Sequence, residues 1–136
     1  MSADVGLEKK ITIQNHVVTS ILTYAQMAYP QEGILLLRGK TKKDKIVIEN
    51  VVIPPAADHG NDFSSFPVFM LPMDYSIIGV AHSHPSGSNL PSDEDLNNFY
   101  GKLMAIVKFP FRSEKDIAIY GREGVTLPFD VVDDTT

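Results

Sequence analysis

The sequence predicts a single α/β domain built around one curved sheet, and three observations favour this class. The chain has 136 residues, 43% of them hydrophobic and 21% charged, and these values are ordinary for one globular domain. Short apolar runs of strand length alternate with segments of helical periodicity, which is the pattern of α/β folds. No repeat or linker interrupts the chain, so residues 1–136 are predicted to form one domain, with a loose segment at 1–10 and an acidic tail at 132–136.

The first elements in the chain are predicted to be one helix and a hairpin. From Ile13 to Ala28 the apolar residues recur at helical spacing, and Pro30 is expected to end that helix. The run from Gly33 to Gly39 is short and apolar, which is typical of a strand buried on both faces. Residues 45–53 alternate apolar and polar side chains, so we expect them to pair back as the second strand.

The middle of the chain is predicted to form a surface loop and two further strands. Residues 56–65 are irregular and follow two prolines, which indicates a loop. Residues 66–71 are predicted to be a short edge strand because Pro67 stands inside them. Residues 76–81 form a third apolar run, and this run leads directly into His82-Ser83-His84.

A long helix and a closing hairpin are predicted for the last third of the chain. Pro91 and Ser92 are helix start signals, and apolar residues at helical spacing extend the predicted helix to Val107. Residues 117–120 and 125–131 are separated by a turn with two glycines, which predicts a hairpin.

Composition argues against several classes of function. The formal net charge of −5 opposes a broad cationic surface for nucleic acid or an anionic membrane. Cysteine is absent, so a metal would need His, Asp or Glu ligands and no thiolate nucleophile is available. Neither a signal peptide nor an apolar stretch near the ~20 residues of a membrane span is present. We therefore expect a cytoplasmic protein without membrane or nucleic-acid partners.

His82 and His84 are the first candidates for chemistry. Alternate residues of a strand point to one face, so both imidazoles can reach one metal ion if the strand continues through them. A bare H-x-H pair is explained equally well by two surface histidines at a strand end. Asp95 follows in the first turn of the predicted helix, three residues after Ser92, although this spacing is also typical of an ordinary helix start.

The loop of seven residues after His84 returns the chain to the end of the same strand, where sites in α/β sheets usually lie. Two imidazoles and one carboxylate leave a tetrahedral Zn²⁺ one open position for water, as in catalytic zinc sites. Glu32 is the candidate for a base, although composition alone also fits a solvated loop residue there.

These residues together resemble a known motif. Glu32, His82-Ser83-His84, seven residues, Ser92, two residues and Asp95 match the E…H-[ST]-H-x7-S-x2-D motif of the JAMM (MPN-plus) metalloproteases. The resemblance extends over residues 12–131, and the compact form is most similar to archaeal members. The fold it implies is a three-layer α-β-α sandwich with a curved mixed sheet, like that of cytidine deaminases.

The resemblance implies a zinc-dependent isopeptidase. His82, His84 and Asp95 would bind one Zn²⁺ per chain. Glu32 would act as general base and pass the proton to the leaving amine, and Ser92 would stabilise the oxyanion. The implied partners are conjugates of ubiquitin or a ubiquitin-like modifier, cleaved after the modifier's C-terminal glycine, with a link to the proteasome left open.

Two other functions stay open at this point: a metal-free MPN scaffold that binds partner proteins, and a processing protease for sulfur-carrier ubiquitin-like proteins. Deaminase chemistry is excluded because the chain has neither H-x-E nor P-C-x-x-C. The absence of HExxH excludes the zincins.

Overall fold

The computed structural model of the chain describes residues 9–54 and 75–134. The described residues form β1 (Lys10–Gln14), α1 (Asn15–Ala28), β2 (Ile34–Thr41), β3 (Lys45–Val52), β4 (Ile77–His84), α2 (Asp93–Asn97), β5 (Leu103–Lys108), a 3₁₀ turn (Glu114–Asp116), β6 (Ile117–Tyr120), β7 (Thr126–Leu127) and β8 (Asp130–Val132). The loop predicted at 56–65 and the edge strand predicted at 66–71 lie outside the described residues. Neither described α-helix is long and apolar enough to cross a membrane.

The strands form one mixed sheet in the order β7-β6-β5-β4-β2-β3-β1-β8. The pairs β1–β3, β1–β8 and β4–β5 are parallel, and the others are antiparallel. β7 and β8 lie on opposite edges, although only residues 128 and 129 separate them in the chain. A flat sheet would place these edges about 34 Å apart, whereas the step from Leu127 to Asp130 spans at most about 11 Å. The sheet must therefore curl strongly.

Both faces of the sheet are covered, as β5 shows. Its residues Leu103, Ala105 and Val107 pack in the cluster that contains the buried residues of α1. Met104 and Ile106 point to the other face and pack with residues of α2 and of the segment that follows it. A helix on each side of a curved mixed sheet confirms the predicted α-β-α class.

The start of the first helix differs from the prediction. Residues Ile11 and Ile13 belong to β1, which pairs with β3, and α1 begins only at Asn15. Because β1 has five residues and runs directly into the helix, its short alternation is hidden in the helical pattern. Lys10, predicted as the last residue of a loose segment at 1–10, is already in the sheet, and residues 1–8 of that segment lie outside the described residues.

The helix predicted from Pro91 to Val107 is wrong beyond its first turn. Helix α2 ends at Asn97, and residues 103–108 form β5 instead. Gly101 has a φ of 81°, and a side chain there would meet the Ile78 carbonyl oxygen at 2.4 Å, so the chain turns into the sheet at this point. The apolar spacing that suggested a helix arises from a strand whose two faces are both buried.

The two predicted hairpins are confirmed: β2 pairs antiparallel with β3, and β6 pairs antiparallel with β7. The second strand of the last hairpin is shorter than predicted. Residues 130–132 leave it and pair with β1 on the opposite edge.

Candidate metal centre

His82 and His84 lie at the end of β4, which continues through the His-Ser-His triplet as predicted. The His82 side chain is 4% exposed, and within the described part of the chain neither of its ring nitrogens has a hydrogen-bond partner. Leaving buried polar atoms unpaired costs about 1–3 kcal/mol. An imidazole kept in this state is ready to bind a ligand that the protein itself does not supply.

Asp95 is brought to the histidines by the start of α2. The Ser92 hydroxyl accepts a hydrogen bond from the Asp95 N–H at 3.0 Å, and Asp95 Oδ2 accepts one from the Ser92 N–H at 2.9 Å, which together form a capping box. Oδ2 also lies 3.1 Å from His84 Nε2, and Oδ1 lies 4.0 Å from His82 Nδ1. One carboxylate therefore faces both imidazoles.

The protonation equilibria of Asp95 and His82 favour a cation at this point, whereas a proton competes with a metal for His84. Burial acts to raise the pKa of Asp95, but hydrogen bonds from His84 and the Ser92 N–H outweigh it and lower the pKa to about 2. Asp95 is thus a carboxylate at neutral pH. Burial lowers the pKa of His82, so this ring is neutral and keeps a lone pair. The hydrogen bond to Asp95 raises the pKa of His84.

Glu32 reaches the site through the pairing of β2 with β4. In this antiparallel pair Ile34 lies opposite His82, so continuing the same register places Glu32 opposite His84. The charge of Glu32 contributes to the raised pKa of His84, which is consistent with this placement. Sheet pairing therefore brings together two residues that lie 52 positions apart in the sequence.

The chemistry of the residues fits a zinc ion, although within the described ranges no group of three or more His, Cys, Asp or Glu side chains is arranged closely enough to hold a metal ion. Zinc bonds of about 2.0–2.2 Å in a tetrahedron separate ligand atoms by about 3.3–3.6 Å. The separations of 3.1 and 4.0 Å from Asp95 to the two imidazoles lie on either side of this range. The unpaired His82 ring supplies a donor.

The backbone around His84 gives further support that the sequence does not show. The Ser88 carbonyl oxygen lies 3.1 Å from His84 Nδ1, so in the neutral ring Nδ1 keeps the hydrogen and Nε2 is left for a metal. The loop that carries Ser88 is itself anchored, because Asn89 donates to the Asp116 carbonyl and accepts from the Tyr120 hydroxyl. Main-chain acceptors of this kind have no residue signature.

The curled mixed sheet and the His, His and Asp side chains gathered at the end of one of its inner strands define a metalloprotease-like α/β domain. Residues 14–122 match the family described as prokaryotic homologs of the JAB domain, and the chain belongs to this family. It is 30% identical over 112 residues to a "Probable metalloprotease" of Haloferax volcanii, a match that spans 77% of this chain and 69% of that protein.

Solved structures agree with this assignment. One, described as JAMM, a metalloprotease-like zinc site in the proteasome and signalosome, is 31% identical with a TM-score of 0.66, over 92% of this chain and 100% of the other. A JAB1/MPN domain protein from Archaeoglobus fulgidus is 28% identical with a TM-score of 0.66, over 91% and 98% of the two chains. The chain is therefore a JAMM-type metalloprotease-like domain.

Proposed function

We propose that this chain is a zinc-dependent isopeptidase of the cytoplasm that cleaves the bond after the C-terminal glycine of ubiquitin or a ubiquitin-like modifier. The observation that carries the proposal is the convergence of His82, His84 and Asp95, to which Glu32 adds a charge that acts on His84. Three ligands fit a catalytic zinc site, since a structural site has four protein ligands.

Zinc at this site supplies Lewis acidity, which polarises the substrate carbonyl and makes a water molecule acidic near neutral pH. Glu32 takes up the proton of the attacking water and passes it to the leaving amine. Ser92 Oγ already accepts the Asp95 N–H, so its own O–H is left to donate to the oxyanion that forms on the substrate. Asp95 joins the cap of α2 to the site.

The substrate class is proposed from the shape of the surroundings. The anchored loop between His84 and Ser92 borders the site and carries Leu90, which is 69% exposed. An extended tail can lie along this loop and bind through its main chain. A tail that ends in glycine suits the site because a residue without Cβ lets the backbone approach closely.

The test uses two substrates and a metal analysis. The purified protein is incubated with a fusion that carries a ubiquitin-like domain ending in Gly-Gly and, separately, with an unrelated unfolded protein, and the products are mapped by mass. We expect cleavage only after the glycine, about one zinc per chain, and loss of both in a His82→Ala/His84→Ala variant. His16→Ala, a histidine outside the site, is the matched control and should keep both.

Four results would contradict the proposal. Cutting of the unfolded protein with the fusion left intact would indicate a general peptidase. Full zinc occupancy in the double alanine variant would place the metal elsewhere. A wild-type protein that binds no zinc would indicate a scaffold, whereas preferred cleavage of sulfur-carrier precursors over lysine conjugates would identify a processing protease.

A further inference from the structure

Ser83 lies between the two histidines of β4, but its side chain points to the opposite face of the sheet, toward α1. It is 4% exposed, and its hydroxyl accepts a hydrogen bond from the Gly33 N–H at 2.7 Å. The Ser83 N–H donates in turn to the Gly33 carbonyl oxygen at 3.0 Å. One residue of β4 thus holds both polar groups of the residue that follows Glu32.

Gly33 is also enclosed by side chains. A Cβ added to it would lie 3.0 Å from Tyr24 Cε2, 3.2 Å from Ala28 Cβ and 3.3 Å from Ser83 Oγ. These separations are shorter than ordinary van der Waals contact, so the backbone at Gly33 has little room to shift toward α1. The peptide that carries Glu32 is therefore fixed by hydrogen bonds to Ser83 and enclosed by side chains of α1.

We propose that Ser83 is a positioning residue that holds the Glu32 carboxylate in register with the metal ligands. Strand β4 then supplies the metal ligands His82 and His84 from one face and aligns the base Glu32 through Ser83 on the other face. This inference rests on the proposed function, in which Glu32 moves the proton. A misplacement of about 1 Å in a catalytic group can lower the rate about 100-fold, so a residue outside the reacting centre can have a large effect.

The kinetic test compares three variants. Ser83→Ala removes the hydroxyl and should lower kcat by about 10-fold to 100-fold, with KM and zinc content nearly unchanged. Ser83→Thr keeps the hydroxyl and should restore most of kcat. The matched control is Ser76→Ala, which removes the hydroxyl that Arg38 contacts at 3.1 Å beyond the other end of the β2–β4 pairing. It should leave kcat unchanged.

A double-mutant cycle separates positioning from a general structural effect. If Ser83 acts through Glu32, then Ser83→Ala should have almost no further effect on kcat in a Glu32→Gln background. Full additivity of the two losses would overturn the proposal, and so would a loss of zinc in proportion to activity in Ser83→Ala. Gly33→Ala provides a second variant if Ser83→Ala does not fold, because its methyl group would press against Tyr24 and displace the same segment. An unchanged kcat in Gly33→Ala would also overturn the proposal.

Measurements that do not depend on catalysis test the role of Ser83 independently of the proposed function. In Ser83→Ala, and not in Ser76→Ala, the Gly33 amide should exchange faster with solvent, and the side-chain carboxyl carbon resonance of Glu32 should shift. A wild-type protein that cleaves no substrate would reject the proposed function, yet these two measurements would still decide the placement of Glu32. Unchanged exchange and an unmoved resonance would overturn the positioning role.

Discussion

At the scale of single residues, Asp95 shows how one side chain links local folding to the site. Its oxygens accept the Ser92 N–H and face His84 and His82, while its own N–H is held by the Ser92 hydroxyl. The interactions that begin α2 are therefore the same ones that fix the direction of the carboxylate. Replacing Asp95 would change the helix start together with the metal site, so it is a poor residue for separating the two.

Glu32 and His82 allow proton transfer and metal binding to be tested separately, because we expect Glu32 to move protons and His82 to bind the metal. Glu32→Gln preserves shape but removes the proton acceptor, so zinc content should stay near one per chain while hydrolysis falls ~10²–10⁴-fold. His82→Ala should lose zinc and all activity together. Metal analysis and single-turnover cleavage check both variants. Wild-type cleavage by Glu32→Gln would assign water activation to another residue.

The candidate site residues could be chosen from the sequence because their spacing along the chain is fixed. The triplet at 82–84 and the Ser92-x-x-Asp95 segment lie close in sequence, and a strand followed by a helix start brings them together. Glu32 required the family resemblance, since it lies opposite His84 only when the β2–β4 register is continued beyond Ile34. The contact from Ser88 could not be predicted, because it uses a backbone carbonyl.

At the scale of secondary-structure elements, the close approach of β4 and β5 is the feature that leaves the least room for an added side chain. Gly79 lies opposite Leu103 in this parallel pair, and a Cβ on Gly79 would come within 2.1 Å of the Leu103 carbonyl oxygen. The same ladder extends to His84 opposite Lys108. A displacement at its beginning is therefore transmitted along the strand that carries the histidines.

We expect Gly79→Ala to lower the free energy of unfolding by about 1–3 kcal/mol, the range found when a packed interior is overfilled. Weaker zinc binding should accompany this loss, because the β4 end would shift. Urea unfolding and zinc titration measure the two effects. Gly87→Ala is the matched control, since nothing lies within 4 Å of a Cβ added there. Equal stability of the two variants would contradict the close packing.

Strand β5 was the hardest element to predict. Helix α1 has one buried stripe, formed by Val17, Val18, Ile21 and Ala25, and its periodicity identifies it. Strand β5 buries consecutive residues on both faces, so its apolar run also fits a helical spacing. Residues 98–102, with Gly101 at a positive φ, separate α2 from β5, and a single glycine in a sequence does not show on which side the helix ends.

At the scale of the whole molecule, the curl of the sheet brings the end of the described chain back to its beginning. Strand β8 pairs parallel with β1, and Asp134, just beyond β8, contacts the start of α1. Its carboxylate accepts a hydrogen bond from the His16 N–H at 2.8 Å and lies 2.8 Å from His16 Nδ1. This contact, with Asn50 on the other ring nitrogen at 3.4 Å, holds the end of the chain against the first helix.

The ion pair between His16 and Asp134 should make the attachment of β8 to the rest of the fold, here called its docking, strongest within a limited pH range. The hydrogen bond to Asp134 raises the pKa of His16 above its ordinary 6.5, so the stabilisation from charged His16 is complete below pH 6.5 and is lost as the pH rises through the raised pKa. Hydrogen bonds from the backbone and the side chain of His16 lower the pKa of Asp134 below 3.8. That contribution is present above pH 3.8 and is lost as the pH falls through the lowered pKa. Docking is therefore expected to be tightest between about pH 4 and 6.5.

Amide exchange of Val131 and Val132, measured at several pH values and corrected for intrinsic exchange rates, tests this expectation. Protection should fall between pH 6 and pH 8.5 in the wild type, and the fall should shrink at high salt because both groups are on the surface. His16→Ala removes the titrating ring but keeps the backbone hydrogen bond to Asp134, so its protection should be lower at pH 6 and independent of pH above that point. If the two proteins showed the same pH dependence, the end of the sheet would be held by strand pairing alone, and the ion pair would contribute nothing to closing the fold.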